Sequence, residues 1–393
     1  MFKKWLNKLE KKITYISNQQ YKPDLFSFES LLICISYIYA FGVRIRLYLY
    51  SKGILKQNLL PCFVISIGNI VVGGTGKTPM AVYVAKLLKK MGKSVVVISR
   101  GYKGKYQNES LIVSDGNRIF CRVEDCGDEP YMMAKEKLFP VVVGKHRFKA
   151  GIKAIKAFNP DIIVLDDGFQ HLKLKRDLDL LLFDYVDPLG NKRLLPAGRL
   201  REMPKSSAHR ADAIIFTRSP ENDVIDENIK KKSGVDNACP LFKTLSEIGV
   251  KTCFQTSHQP YIFKHIPHGS ISECLVTDIA GLKGKNVILF SGIAKNSSFY
   301  LSMKNIGVNI LEHLEFKDHY RYKKADILMI NKAIKNMHGD FILTTQKDWV
   351  KLDWVKSNSN IEWATDLLVI GIDICFQQPE TFQSFLNGKL SAR

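Results

Sequence analysis

The chain has 393 residues, and its 58 Lys plus Arg against 38 Asp plus Glu give a formal net charge of +20. Hydrophobic residues at 46 % and charged residues at 24 % are globular proportions. They exclude bulk disorder and fit about two or three domains, each with its own core. The basic excess says nothing of fold, but it calls for an acidic partner: nucleic acid, an anionic membrane or a phosphorylated substrate. None of the eight cysteines forms a C-x-x-C pair. That argues against a zinc ribbon or disulfide scaffold and for a reducing compartment.

At the N-terminus Phe2, Trp5, Leu6 and Leu9 share a helical stripe, and Lys3, Lys4, Lys8, Lys11 and Lys12 fill most of the rest. This pattern predicts a helix lying among anionic lipid headgroups. Residues 30–43 are apolar and uncharged, and a helix of that length spans about 21 Å, short of a roughly 30 Å hydrocarbon core. Arg44 and Arg46 are expected to end it. Residues 1–60 therefore read as membrane-docking helices, peripheral or monotopic, without a single-pass anchor or a signal peptide.

Residues 63–67 read as a buried strand, 78–91 as a helix stopped by Gly92, and 94–99 as a second strand, which together suggest a right-handed crossover. Asp115-Gly116 between apolar runs signals a hairpin over 111–120. Further strands are expected at 141–143, 162–165, 178–183 and 213–216. The rhythm predicts an α/β fold with a doubly wound, mostly parallel sheet over 61–217. After Arg218 the chain turns polar, and 220–283 carries no assignable role. Strand-like runs return at 286–294, 341–345 and 367–374. They predict a second, smaller α/β domain within 218–393.

Gly73-Gly74-Thr75-Gly76-Lys77-Thr78 follows a predicted strand and opens a predicted helix. In that context the glycines let backbone amides turn around phosphate oxygens at a helix N-terminus, Lys77 reaches the β/γ-phosphates, and the Thr78 hydroxyl suits Mg²⁺. Val71 stands where the full phosphate-loop pattern has glycine. Asp166-Asp167 ends the strand at 162–165, the Walker B position for a carboxylate beside that metal. Two carboxylates in one site need a cation nearby, or repulsion raises one pKa. His171 follows them closely.

In order along the chain stand G-N-I-V-V-G-G-T-G-K-T-P (68–79), S-R-G-Y (99–102), G-D-E-P (127–130), G-K-H-R (144–147), D-D-G-F-Q-H (166–171) and P-A-G-R-L-R-E (196–202). Weaker matches follow in F-S-G-I-A (290–294), F-K-D-H-Y (316–320) and T-T-Q-K-D (344–348). Together they resemble the tetraacyldisaccharide 4′-kinase family, strongly over about 60–217.

The resemblance implies a P-loop NTPase-like fold of two α/β/α domains joined by a short β linker. It implies ATP- and Mg²⁺-dependent phosphorylation of the 4′-hydroxyl of tetraacyldisaccharide 1-phosphate at the cytoplasmic face of the bacterial inner membrane. Asp128 matches the family's general base and His319 the histidine paired with it. Arg147, Arg201 and Glu202 match polar active-site positions of the family; Glu129, Gln170 and His171, within the same motifs, are expected beside substrate, and Tyr102 either lines the acceptor groove or closes a strand-end turn. Arg147 suits phosphate of either ATP or the acceptor.

Two other classes compete. A membrane-associated P-loop ATPase or GTPase without a lipid acceptor shares the phosphate loop, but a GTPase needs N-K-x-D, and Gln346-Lys347-Asp348 has the wrong spacing. A nucleic-acid binder would account for the charge, yet no helix-turn-helix, zinc finger or aromatic-basic RNA motif is present. No nucleic-acid partner is expected.

Overall fold

The structure, a computed structural model, describes residues 12–17, 23–24, 26–106, 108–220, 252–268, 278–358 and 362–392. The basic stripe at 2–11 and most of 220–283 lie outside the described residues.

The first named elements are α1 (Phe28–Ser51), β1 (Phe63–Asn69), α2 (Lys77–Lys90), β2 (Val95–Ser99), β3 (Leu111–Asp115), α3 (Val123–Cys126), α4 (Asp128–Lys135) and β4 (Pro140–Val143). There follow α5 (Arg147–Phe158), β5 (Ile162–Asp166), β6 (Leu178–Asp184), α6 (Pro204–Arg210), β7 (Ala213–Thr217) and β8 (Cys253–Ile266). The last are β9 (Asn286–Ser291), α7 (Asn296–Ile306), β10 (Asn309–Glu315), α8 (Lys324–Met337), β11 (Phe341–Thr345), α9 (Gln346–Asn358), β12 (Asp366–Phe376) and α10 (Pro379–Ser391).

α1 starts where the Ser27 hydroxyl accepts from the Ser30 amide, and it runs 24 residues, about 36 Å. It continues through Arg44 and Arg46, contrary to expectation, because arginine is a good helix former and a change of polarity alone does not stop a helix. The stop comes at Lys52 and Gly53, the glycine at φ 71°. By length and composition this is the one described helix able to cross a membrane.

The chain folds into two compact units: Met1–Ile98 with Arg147–Ser257 and Cys375–Arg393, and Ser99–His146 with His258–Ile374. The division is discontinuous, unlike the expected boundary at 217/218. Its physical reason is packing across long sequence separations. In the first unit, Phe254, Phe376 and Phe382 form an aromatic cluster with Tyr83 of α2, with Phe376 and Phe382 stacked at 4.0 Å. The C-terminal helix thereby joins the phosphate-loop unit.

The strands of the first unit run β8-β7-β6-β1-β5-β2, all parallel. β1, β5 and β6 are buried along their whole length, as a sheet covered on both faces requires. The strand order reverses beside β1, so the C-terminal ends of β1 and β5 mark the crevice where such folds bind ligands. Ile67 pairs with Asp166 there, which sets the phosphate loop beside the acidic strand end.

The smaller unit holds the parallel set β10-β9-β11-β12 and the antiparallel pair β3-β4. The expected hairpin at 111–120 forms: the Asp115 carboxylate accepts from the Asn117 and Arg118 amides, and Phe120 N–H returns to Val113 O. The unassigned stretch is in part a strand, because 253–266 forms β8.

Phe382 has no exposed surface. Phe382→Ala should lower unfolding stability by about 3–5 kcal/mol, read from the urea midpoint of the unit that contains it.

Candidate active site

The chain leaves β1 at Asn69 and enters α2 at Lys77. Gly73 at φ 131° and Gly76 at φ 78° take conformations that a side chain would strain. A Cβ on Gly73 would also meet Arg199 Nη2 at 2.6 Å. Val71 needs no such freedom. It is buried beside Leu194 and Leu200 and forms a bridge to Leu200, so the glycine-requiring turn begins only after it.

Asn69 organises the loop from inside. Its Nδ2 donates to Val71 O at 2.6 Å and Thr75 Oγ1 at 2.7 Å, and its Oδ1 accepts from Lys77 Nζ at 3.2 Å. Outside, Arg199 donates twice to Val72 O, at 3.0 and 2.8 Å, Arg218 donates to Gly74 O, and the Thr217 hydroxyl donates to Thr75 O at 3.1 Å. Carbonyls held on the protein side orient the neighbouring amides for phosphate oxygens.

Asp166 ends β5 with 2 % of its surface exposed, and its Oδ2 accepts from Thr78 Oγ1 at 3.4 Å. Arg147, also buried, donates to the Asp166 main-chain oxygen at 3.2 Å. Asp167 turns into the left-handed region at φ 53° and separates from its neighbour. It meets Arg201 Nη1 at 3.3 Å and Lys77 Nζ at 3.7 Å. Burial alone would raise its pKa, but Lys77, Arg201 and Arg147 outweigh that and hold the carboxyl below its ordinary value. Arg201 Nη1 also donates to Gln170 Oε1 at 3.3 Å, and Gln170 Nε2 donates to Asn69 O at 2.8 Å. Lys77, Asp167, Arg201, Gln170 and Asn69 thus close a ring of contacts.

The Thr78 hydroxyl and Asp166 carboxylate are hard oxygen donors side by side, which suits Mg²⁺. Among the described residues no cluster of three His, Cys, Asp or Glu could hold a metal by itself. Mg²⁺ commonly takes one or two protein oxygens and completes its shell with phosphate and water.

The smaller unit carries the other candidates. Asp128 opens α4, and its Oδ2 lies 2.8 Å from His319 Nδ1. An ionised carboxylate only accepts, so the contact places the imidazole proton on Nδ1. His319 sits at φ 61°, a strained position of the kind that concentrates at functional sites. The Tyr102 ring lies 5.7 Å from the imidazole. Burial would raise the Asp128 pKa; the His319 hydrogen bond, Lys351, the His319 charge and Lys347 together hold it below its ordinary value.

The smaller unit also shows what sequence reasoning missed. α4 packs against α9, so Lys347 Nζ lies 3.4 Å from Glu129 Oε1 and 3.2 Å from Asp318 Oδ1. Glu129 and Asp318 are the chain neighbours of Asp128 and His319. Lys351 Nζ reaches Asp348 at 2.7 Å, and Asp348 is further held by the Tyr322 and Thr345 hydroxyls. The signal was the charged end of T-T-Q-K-D, which spacing alone did not connect to Asp128. In the first unit, Asn69, Arg199 and Arg218 were missed although two of them stand inside matched motifs.

Two further expected site residues, Glu202 and His171, also lie in the first unit. Glu202 accepts from Arg210 at 2.9 Å and from Ser207 at 3.1 Å, a buried pairing on α6. The main chain of His171 closes the turn onto Gly168 O and accepts from Arg176.

A parallel α/β sheet with a phosphate loop after β1 and a carboxylate after β5 defines a P-loop phosphotransferase class. Family comparison then agrees with the motifs. The family model described as tetraacyldisaccharide-1-P 4′-kinase matches residues 28–391. The tetraacyldisaccharide 4′-kinase of Desulfatibacillum aliphaticivorans is 36 % identical, covering 92 % of each chain. That of Geobacter metallireducens is 38 % identical over 86 % of this chain and 93 % of its own. A crystal structure of LpxK from Aquifex aeolicus in complex with ATP superposes with a TM-score of 0.66 at 32 % identity, covering 93 % of this chain and 100 % of that one. The chain belongs to the tetraacyldisaccharide-1-P 4′-kinase family. It is a kinase of lipid A biosynthesis.

Lys347 is one of the cations that keep Asp128 ionised. Folded-state stability from a lowered carboxyl pKa is present above the unfolded value and is lost as pH falls through the folded value. Lys347→Met should therefore move the Asp128 titration to higher pH, and Lys347→Arg should leave it near wild type, read by carbon NMR of the Asp128 carboxyl.

Proposed function

We propose that the chain transfers the γ-phosphoryl group of ATP to the 4′-hydroxyl of tetraacyldisaccharide 1-phosphate, giving lipid IVA, in a Mg²⁺-dependent reaction. The observation that carries this reading is the Asp128–His319 pair, 2.8 Å apart, within the smaller unit. An ATPase without an acceptor would not need this pair; transfer to a sugar hydroxyl needs a base for the hydroxyl proton. The ATP named in the Aquifex aeolicus structure supports the choice of donor.

Lys77 and the amides of Gly73, Gly74, Thr75 and Gly76 hold the β/γ-phosphates, and Asn69 and Asp167 keep Lys77 aimed. Thr78 and Asp166 would hold Mg²⁺, with Asp167 the adjacent carboxylate. Mg²⁺, when bound, neutralises charge that gathers on the transferred phosphoryl oxygens. Asp128 accepts the proton of the acceptor hydroxyl, and His319 fixes the carboxylate's orientation through Nδ1–H. Arg201, with Gln170, and Arg147 supply fixed positive charge near phosphate, and Tyr102 and Glu129 border the acceptor beside Asp128.

The acceptor is a lipid, and α1 supplies a surface for it. Leu31, Ile35, Ile38, Phe41 and Ile45 are exposed, and Arg44, also exposed, adds a positive charge suited to anionic lipid. Leu32, Ser36, Tyr39 and Arg46 meanwhile touch the first unit along most of the helix. A helix tied to its own unit over that length favours monotopic docking over a span. The reading places the enzyme at the cytoplasmic face of the inner membrane, where ATP is available.

Asp128→Asn should lower kcat by about 10²- to 10⁴-fold while ATP binding persists, and Lys77→Ala should abolish transfer. ADP release with and without acceptor checks both. Normal turnover in Asp128→Asn beside an inactive Lys77→Ala would remove Asp128 from the mechanism.

A further inference from the structure

α1 has two faces with different duties. Leu31, Ile35, Ile38 and Ile45 are exposed to the surroundings. A second stripe, at helical spacing, carries Leu32, Ser36, Tyr39 and Arg46. Leu32 is buried with Ala197, and Tyr39 and Ala40 pack on the core beneath Leu194 and Leu200. Apolar contact would suffice to seat a helix. This stripe adds polar bonds, and each ends on a backbone atom of a site loop.

Ser36 Oγ lies 2.8 Å from Leu194 O and accepts from Ala197 N at 3.1 Å. The Tyr39 hydroxyl donates to Arg201 O at 3.0 Å. Arg46 Nη2 donates to Gln170 O at 3.1 Å. Arg201 and Gln170 are the two residues whose side chains bond each other and reach Asp167 and Asn69. The helix therefore grips the main chain of both residues, and their side chains grip the partners of Lys77. Burial beside Glu202 raises the Tyr39 pKa, so the phenol stays a proton donor at neutral pH.

We infer that Tyr39 and Arg46 are positioning residues, which tie the apolar helix to the backbone at Arg201 and Gln170 and thereby hold the Lys77–Asp167 network in its working geometry. The inference rests on reading that network as the phosphoryl-transfer site. It gives α1 a task beyond holding the enzyme at a lipid surface. Neither residue touches substrate; each acts through the loop it holds. A small misplacement of a positioned charge reduces turnover more than ground-state binding.

The test uses the full chain with Tyr39→Phe, Arg46→Met and Arg46→Lys. Each is assayed for acceptor-dependent ADP release in detergent, for KM of ATP, and for co-sedimentation with phosphatidylglycerol vesicles. Loss of one such hydrogen bond should lower kcat about three- to tenfold in Tyr39→Phe and in Arg46→Met. KM for ATP and vesicle binding should stay at wild-type values, and Arg46→Lys, which keeps a donor, should recover most of the rate. Wild-type kcat in both Tyr39→Phe and Arg46→Met would overturn the inference. So would a fall in kcat that tracks lost vesicle binding, because α1 would then act as an anchor alone. Absence of acceptor-dependent ADP release in the wild-type chain would instead overturn the functional reading and the inference with it.

Discussion

Two adjacent carboxylates at the buried end of a strand keep their charge only if cations are brought to them. Asp166 and Asp167 impose that condition on the first unit. The chain meets it by bending Asp167 into the left-handed region, so that the two carboxylates face different partners. Asp167 takes Lys77 and Arg201; Asp166 takes the Thr78 hydroxyl on one oxygen and keeps hard-donor character for a metal. Lys77 is then fixed from two sides, by Asp167 and by Asn69. A mobile lysine would lose its charge to solvent; on the proposed reading the fixed one is already aimed for phosphate.

The same logic recurs in the smaller unit. Asp128 is half-buried, and burial alone would favour its neutral acid, which is useless as a base near neutral pH. His319, Lys351 and Lys347 reverse that. Lys347 is itself held by Glu129 and Asp318, and burial would have lowered its pKa had those carboxylates not raised it. The pairing is mutual: acids keep the lysine charged, and the lysine helps keep Asp128 charged. The charge state of an acidic group in each unit thus depends on the neighbours packed around it.

Much of this was legible in the sequence because it is local. Strand, G-G-T-G-K-T and helix lie within one crossover, and Asp166-Asp167 directly follows an apolar strand, so order along the chain is order in space. Asp128 with His319 was legible only through the family resemblance, since the two stand far apart along the chain and α4 must pack on α9 before their surroundings exist. Lys347, Asn69, Arg199 and Arg218 escaped notice for a related reason. Lys347, Arg199 and Arg218 act on backbone carbonyls or carboxylates contributed by other segments, and Asn69 bonds Val71, Thr75 and Lys77 only once its own loop has curled back; no spacing rule records such partners. The length of α1 was misjudged because Arg44 and Arg46 were read as a boundary in polarity, while helix termination depends on capping and backbone conformation. The discontinuous units escaped for the same cause as Lys347: aromatic contacts from the C-terminal helix to Tyr83 and Phe254 join distant segments.

The central claim is that these two groups of residues serve one transfer, from ATP to a sugar hydroxyl on an acylated disaccharide phosphate. The direct test is to incubate the chain with ATP, Mg²⁺ and tetraacyldisaccharide 1-phosphate in detergent and to locate the new phosphate by phosphorus NMR and mass spectrometry. The account predicts a single added phosphate on the 4′-oxygen, formed in step with ADP. ADP formed at the same rate without the acceptor, with no phosphate on the lipid, would contradict it.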